Sequence, residues 1–190
     1  CRRKWIYHKK VYVNYQNIKP CLGCNVCQKT KQCVQKDDMQ KIYEKMLEAK
    51  IIVFASPVYF YTFNGSMKLL IDRTFAIEKT IHDKDFYLLT TGLASEESYF
   101  GIIKNTFQKY IDCLRVGGNR FIDYVLGFQT GDKDDIEKTD ESFRYSKKIH
   151  SGHCTSRLEW KNEIAAEVVF VVLFHFLRMS FHILALFVKF

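Results

Sequence analysis

Hydrophobic and polar positions follow two rhythms along this chain, one suited to strands and one to helices. The run VYVNY (11–15) is rich in β-branched and aromatic residues and predicts a short strand. In DDMQKIYEKMLEAK (37–50), Met39, Ile42, Tyr43, Met46 and Leu47 recur at helical spacing behind Asp37 and Asp38, either of which suits an N-cap. IIVFAS (51–56) is almost continuously apolar, as expected for a strand covered on both faces, and it ends at Ser56-Pro57. GSMKLLIDRTFAIEK (65–79) reads as helix and DFYLLTT (85–91) as strand. SEESYFGIIKNTFQKYIDCLRV (95–116) reads as a long helix with Ser95 as cap, and RFIDYVLGF (120–128) as strand. DKDDIEKTDESFRYSKKIH (132–150) predicts a closing helix with acids early and bases late, the order the helix dipole favours.

Strands and helices alternating at this spacing imply βαβ crossovers, hence an α/β domain with an open parallel sheet and helices on both faces. Ligands of such sheets bind beyond the carboxyl ends of the strands. Two loops fall there, SPVYFYTFNGSMK (56–68) and TTGLASEES (91–98), and they should be spatial neighbours.

Charge narrows the function classes. The 190 residues carry a formal net charge of +8, but Arg2, Arg3, Lys4, Lys9 and Lys10 supply five of those charges. Between residues 61 and 150, 13 Lys and Arg face 14 Asp and Glu, so the body of the domain has no basic face and nucleic acid is not an expected partner. Seven cysteines, an odd count without a signal-peptide core, are not the pattern expected of a secreted disulfide framework. A reducing, cytoplasmic setting is expected, in which those thiols remain available for chemistry.

Four of the cysteines, Cys21, Cys24, Cys27 and Cys33, lie in IKPCLGCNVCQKTKQCVQKDD (18–38). Cys-x2-Cys-x2-Cys with five residues before Cys33 is a compact thiolate set able to hold an iron-sulfur cubane; metal-free packed thiols are the equal alternative. Zinc ranks lower, because it usually takes two Cys-x2-Cys knuckles on a longer insert. Pro20 and Gly23 suit a tight turn under any of these readings. Cys113 falls within a predicted helix and is expected in the core.

The loop after 51–56 offers Val58, Tyr59, Phe60, Tyr61 and Phe63 where turn residues are the norm. A flat conjugated ring such as a flavin would be stacked and shielded from water there; simple packing of the loop on the sheet is the competing reading.

KIIVFASPVYFYTFNGSMKLLIDR (50–73) resembles the second flavin-contacting loop and following helix of flavodoxin-like NAD(P)H-dependent FMN reductases, with Lys68, Asp72 and Arg73 in the helix. Residues 18–49 resemble the subset that includes the iron-sulfur flavoproteins. The resemblance runs from about residue 11 to 149. It implies a flavodoxin-like doubly wound sheet and FMN wrapped by Pro57, Val58, Tyr59 and Phe60, with Thr91 and Gly92 in the third flavin loop. A homodimer is also implied.

One departure from the family pattern is large. A first strand with a Ser- and Gly-rich phosphate loop should open such a domain, whereas CRRKWIYHKK precedes VYVNY here. In the strand order 2-1-3-4-5 the missing strand is the central one, and its absence would leave two unpaired edges. The expectation is a truncated flavodoxin-like domain over 1–150, followed by an atypical tail over 151–190. VVFVVLFHFLRMSFHILALFVKF (168–190) is apolar and long enough to raise a membrane helix, but Arg178 near its middle costs an isolated span about 2.5–3.5 kcal/mol. A partner-binding helix or the aberrant tail of a disrupted frame are the alternatives, the last being favoured.

These features predict an FMN-dependent oxidoreductase in which NAD(P)H gives hydride to the flavin, which passes electrons to a small-molecule or protein acceptor such as a quinone. No catalytic acid, base or nucleophile is required, because the cofactor carries the chemistry. The alternatives are an electron-transfer module using FMN and a [4Fe-4S] cluster, and a degenerate fragment without activity.

Overall fold

The computed structural model describes residues 8–114, 117–127 and 185–189, with backbone alone for His8 and for 185–189. Strand β1 (His8–Tyr12) runs into a 3-10 turn (Val13–Tyr15), so the strand lies three residues earlier than VYVNY suggests. A short helix α1 (Val26–Thr30) sits inside the cysteine segment and α2 (Met39–Glu48) follows it. Strand β2 (Ile51–Tyr59) turns into a two-residue strand β3 (Thr62–Phe63) and then α3 (Gly65–Arg73). Strand β4 (Asp85–Thr91), helix α4 (Gly101–Cys113), strand β5 (Arg120–Gly127) and strand β6 (Ala185–Lys189) complete the fold. The predicted helix over 132–150 lies outside the described residues.

The sheet order is β1-β6-β2-β4-β5. Strands β2, β4 and β5 pair in parallel, whereas β6 is antiparallel to both of its neighbours, β1 and β2. Two reversals make β1 parallel to β2, so the four strands expected from the sequence all run one way, in flavodoxin-like order. The central place of that order is filled by β6, and two corrections follow. Residues 185–189 are a strand rather than part of a helix, and the sheet is mixed rather than wholly parallel. The reason is backbone hydrogen bonding: a gap between β1 and β2 would strand two rows of N–H and C=O groups, and a five-residue extended segment satisfies both.

Burial follows the predicted periods. Met39, Ile42, Tyr43 and Met46 of α2, and Ile103, Phe107 and Ile111 of α4, are buried at helical spacing. Leu47 stands off this stripe and is exposed. Phe107 joins an aromatic cluster, 5.2 Å from Phe54 and 5.0 Å from Phe121 between ring centroids. On α3 the buried stripe is Met67, Leu70 and Arg73, which places a charged residue where the period calls for an apolar one. The 95–116 helix begins as a 3-10 turn at Glu97, so Ser95 is not its cap, and Cys113 is exposed rather than in the core.

Candidate functional site

Two clusters of candidate residues are built by different means. The first lies at the carboxyl edge of the sheet. Pro57 of β2 is in register with Thr91 of β4, so the loops after these strands are neighbours. Beyond Pro57 the chain makes a hairpin in which Val58 pairs with Phe63 and Tyr59 with Thr62. Its two turn residues, Phe60 (φ 49°) and Tyr61 (φ 68°), both lie in the left-handed region. That is the I′ pattern, normally served by Asn-Gly, and each aromatic there carries strain.

The strained turn lifts its rings outward. Phe60 is 98% exposed and Tyr59 and Tyr61 about half so, while Phe63 is buried, correcting the expectation that it is exposed with them. Tyr61 stacks on Tyr99 with ring centroids 6.4 Å apart. Gly92 sits against this loop: a Cβ there would come within 3.3 Å of the Phe100 ring and 3.5 Å of Val58. The Gly92 amide donates to Gly127 O at 3.0 Å, so packing and the strand end both use this residue.

The second cluster is the cysteine loop. Cys21, Cys24, Cys27 and Cys33 all line one small pocket, together with Gly23, Asn25 and Phe75. Burial pushes the Cys27 thiol up, and the three neighbouring sulfurs add to that shift, which places all four in one electrostatic group. Gly23 (φ 64°) and Asn25 (φ 56°) make the sharp bends between the first three. Among the described residues, no three or more His, Cys, Asp or Glu side chains are gathered as a ready metal site. The donor chemistry fits a cluster, and the loop would have to tighten to ligate one.

A buried ion pair closes this loop at its neck. The Arg73 guanidinium, with its side chain 1% exposed, grips both oxygens of Asp37. It also donates to Lys19 O at 2.8 Å and to the Cys33 sulfur at 3.4 Å. Asp37 accepts from the Lys19 and Met39 amides, both at 3.1 Å. Burial alone would raise the Asp37 pKa, but the hydrogen bonds from Arg73 and the two amides hold it below the ordinary carboxylate range. The Arg73 carbonyl accepts from the buried Tyr43 hydroxyl at 2.7 Å. Sequence reasoning placed Arg73 in its helix but missed this role; the signal was an arginine on the apolar stripe of α3. Lys68 and Asp72, by contrast, form an exposed i,i+4 pair on that helix.

The sequence profile of the NADPH-dependent FMN reductase family matches residues 9–98, and that stretch of the chain is similar to this family. An iron-sulfur flavoprotein of Methanosarcina thermophila is 32% identical over 111 residues, covering 57% of this chain and 56% of the relative. An iron-sulfur flavoprotein of Archaeoglobus fulgidus is 48% identical over 69 residues, 36% of this chain and 32% of that one. A Bacillus subtilis protein assigned as an NAD(P)H-dependent FMN-containing oxidoreductase is 29% identical over 100 residues, 48% of this chain and 54% of the relative. The chain thus spans about half or less of the length of these curated relatives.

FMN fits the observed edge in part. The exposed rings of Tyr59 and Phe60 beside Thr91 and Gly92 offer a flat apolar wall for an isoalloxazine. The phosphate is a different matter. Because β6 is reversed, its amino end rather than its carboxyl end lies at this edge, with Ala185 opposite Ala55. A strand followed by a phosphate-cradling turn and helix cannot leave it there. Among the described residues, no such cradle stands at the switch point.

Proposed function

We propose that the whole protein is an FMN-dependent NAD(P)H oxidoreductase that passes hydride from the nicotinamide to flavin and then to an acceptor such as a quinone or a flavin. The observation that carries this reading is the strained aromatic hairpin at the carboxyl edge of β2, held in register with Thr91. Bound FMN would supply the redox chemistry. Pro57, Val58, Tyr59 and Phe60 would cover one face of its ring and exclude water, and Thr91 and Gly92 would border the other side. A homodimer belongs to this reading, because Phe60, Leu93 and Ile102 leave large apolar side chains exposed on or near these loops. A cytoplasmic location belongs to it as well, since the four clustered thiols are free.

The four-thiol pocket supports a second reading, an iron-sulfur flavoprotein that carries electrons between partners. Cys21, Cys24, Cys27 and Cys33 would then hold a [4Fe-4S] cluster. Among the described residues no helix is long and apolar enough to cross a membrane. The apolar segment that raised a membrane helix lies, apart from 185–189, outside the described residues, and neither reading requires membrane contact through the 151–190 tail.

The test is an anaerobic titration of the purified chain with FMN, read by quenching of flavin fluorescence, with iron and sulfide analysis of the same sample. Quenching followed by NAD(P)H consumption with a quinone supports the first reading. Iron and sulfide with reduction only through a protein partner supports the second, and a sample that takes up neither flavin nor iron overturns both.

A further inference from the structure

We infer that Arg73 is the clasp of the cysteine loop, a positioning residue that fixes the loop neck and turns the Cys33 sulfur toward the other three thiols. The chain enters the loop at Lys19 and leaves it at Asp37, and one guanidinium bonds both ends: Lys19 O at 2.8 Å and the two Asp37 oxygens. Asp37 returns the link by accepting from the Lys19 amide. Of the loop's four sulfurs, Cys33 is the one that this guanidinium reaches. No exposed side chain could do this as well, because a buried arginine anchored on α3 ties the loop to the sheet-covering helix rather than to solvent.

The position in sequence matters as much as the contacts. Arg73 occupies the third place on the apolar stripe of α3, after Met67 and Leu70, so a hydrophobic residue there would pack with no partner needed. A buried charge is costly unless it is paired, and here Nη1 and Nη2 find partners at the two ends of the thiol loop, while Nε has no hydrogen-bond partner among the described residues. The thiols are not drawn to ligating spacing, so the tip near Gly23 and Asn25 must close on an ion while the neck stays fixed. Groups that orient metal ligands in this way typically change metal affinity about 10–100-fold when removed. The inference concerns the thiol set itself and holds whichever group the protein carries there.

Cobalt(II) is the probe, added anaerobically to the reduced full chain, with thiolate-to-cobalt charge-transfer absorption as the readout. The neutral pair R73M/D37N leaves no unpaired charge, and the single side-chain oxygen of the new amide can still accept from one of the two backbone amides, Lys19 or Met39, that bond separate oxygens of Asp37. At a matched melting temperature, R73M/D37N is expected to bind cobalt about 10–100-fold more weakly than the unaltered chain. Its charge-transfer band should also weaken as one thiolate leaves the set, and R73K should restore part of the affinity. Equal affinity in all three proteins, or no charge-transfer band in the unaltered chain, overturns the inference. Absence of iron and sulfide would remove the cluster reading alone, because cobalt binding is measured independently of it.

Discussion

The cysteine loop and the aromatic hairpin hold their candidate groups by opposite means. The loop has no ladder of its own and is closed from inside by a charge pair that water does not reach. The hairpin is closed by backbone pairing, and its strain sits in two left-handed aromatic residues exposed at the tip. One region uses buried electrostatics to fix thiols at a core boundary. The other uses backbone strain to hold rings out in solvent. Both are locally unfavourable choices, which natural sequences concentrate at functional sites.

The largest expected effect breaks the first half of this contrast. Arg73→Gln leaves Asp37 buried without its cation, and the loss should be about 3–5 kcal/mol, measured by urea unfolding. The R73M/D37N pair should lose far less, because neither charge is left alone. If Arg73→Gln cost no more than the pair, the clasp would be an ordinary surface bridge and the two regions would not differ as described.

Acid sharpens the same half. The Asp37 carboxyl is held below its ordinary range in the fold, so its stabilising share is complete above the unfolded value, about pH 4, and is lost as pH falls through the lower folded value. Unfolding free energy should therefore drop more steeply in the unaltered chain than in R73M/D37N as pH falls below about 4. Arg73 remains charged throughout, since its own pKa is raised by Asp37 against the opposing effect of burial. Parallel pH profiles would remove Asp37 from the account.

How far these regions could be read from sequence follows from the same physics. Strand β4 occupies the apolar run that predicts it, and α2 and α4 bury the residues their spacing selects. The neighbouring of the 56–68 and 91–98 loops followed from parallel pairing alone. The hairpin was not legible, because Phe60-Tyr61 carries none of the Asn or Gly signals that mark a two-residue turn. Nor was the Arg73 clasp, since partners 36 and 54 residues away leave no local pattern. Strand β6 was hidden inside a long apolar stretch, where periodicity cannot separate strand from helix. What decided it was the gap between β1 and β2, a property of the assembled sheet.

The smallest effect tests the second half of the contrast. Replacing Phe60 by Asn and Tyr61 by Gly supplies the residues that a turn with two positive φ values prefers. Relief of strain should stabilise the chain, offset by loss of the Tyr61–Tyr99 stacking, for a net gain of about 1 kcal/mol in urea unfolding. FMN affinity should fall in the same variant, because the ring loses its apolar cover. A gain in stability with lost flavin binding means that the strain is kept for the sake of the exposed rings. A variant that is destabilised, or that binds FMN unchanged, would show that the hairpin merely packs on the sheet, and the contrast with the cysteine loop would then reduce to a difference in burial.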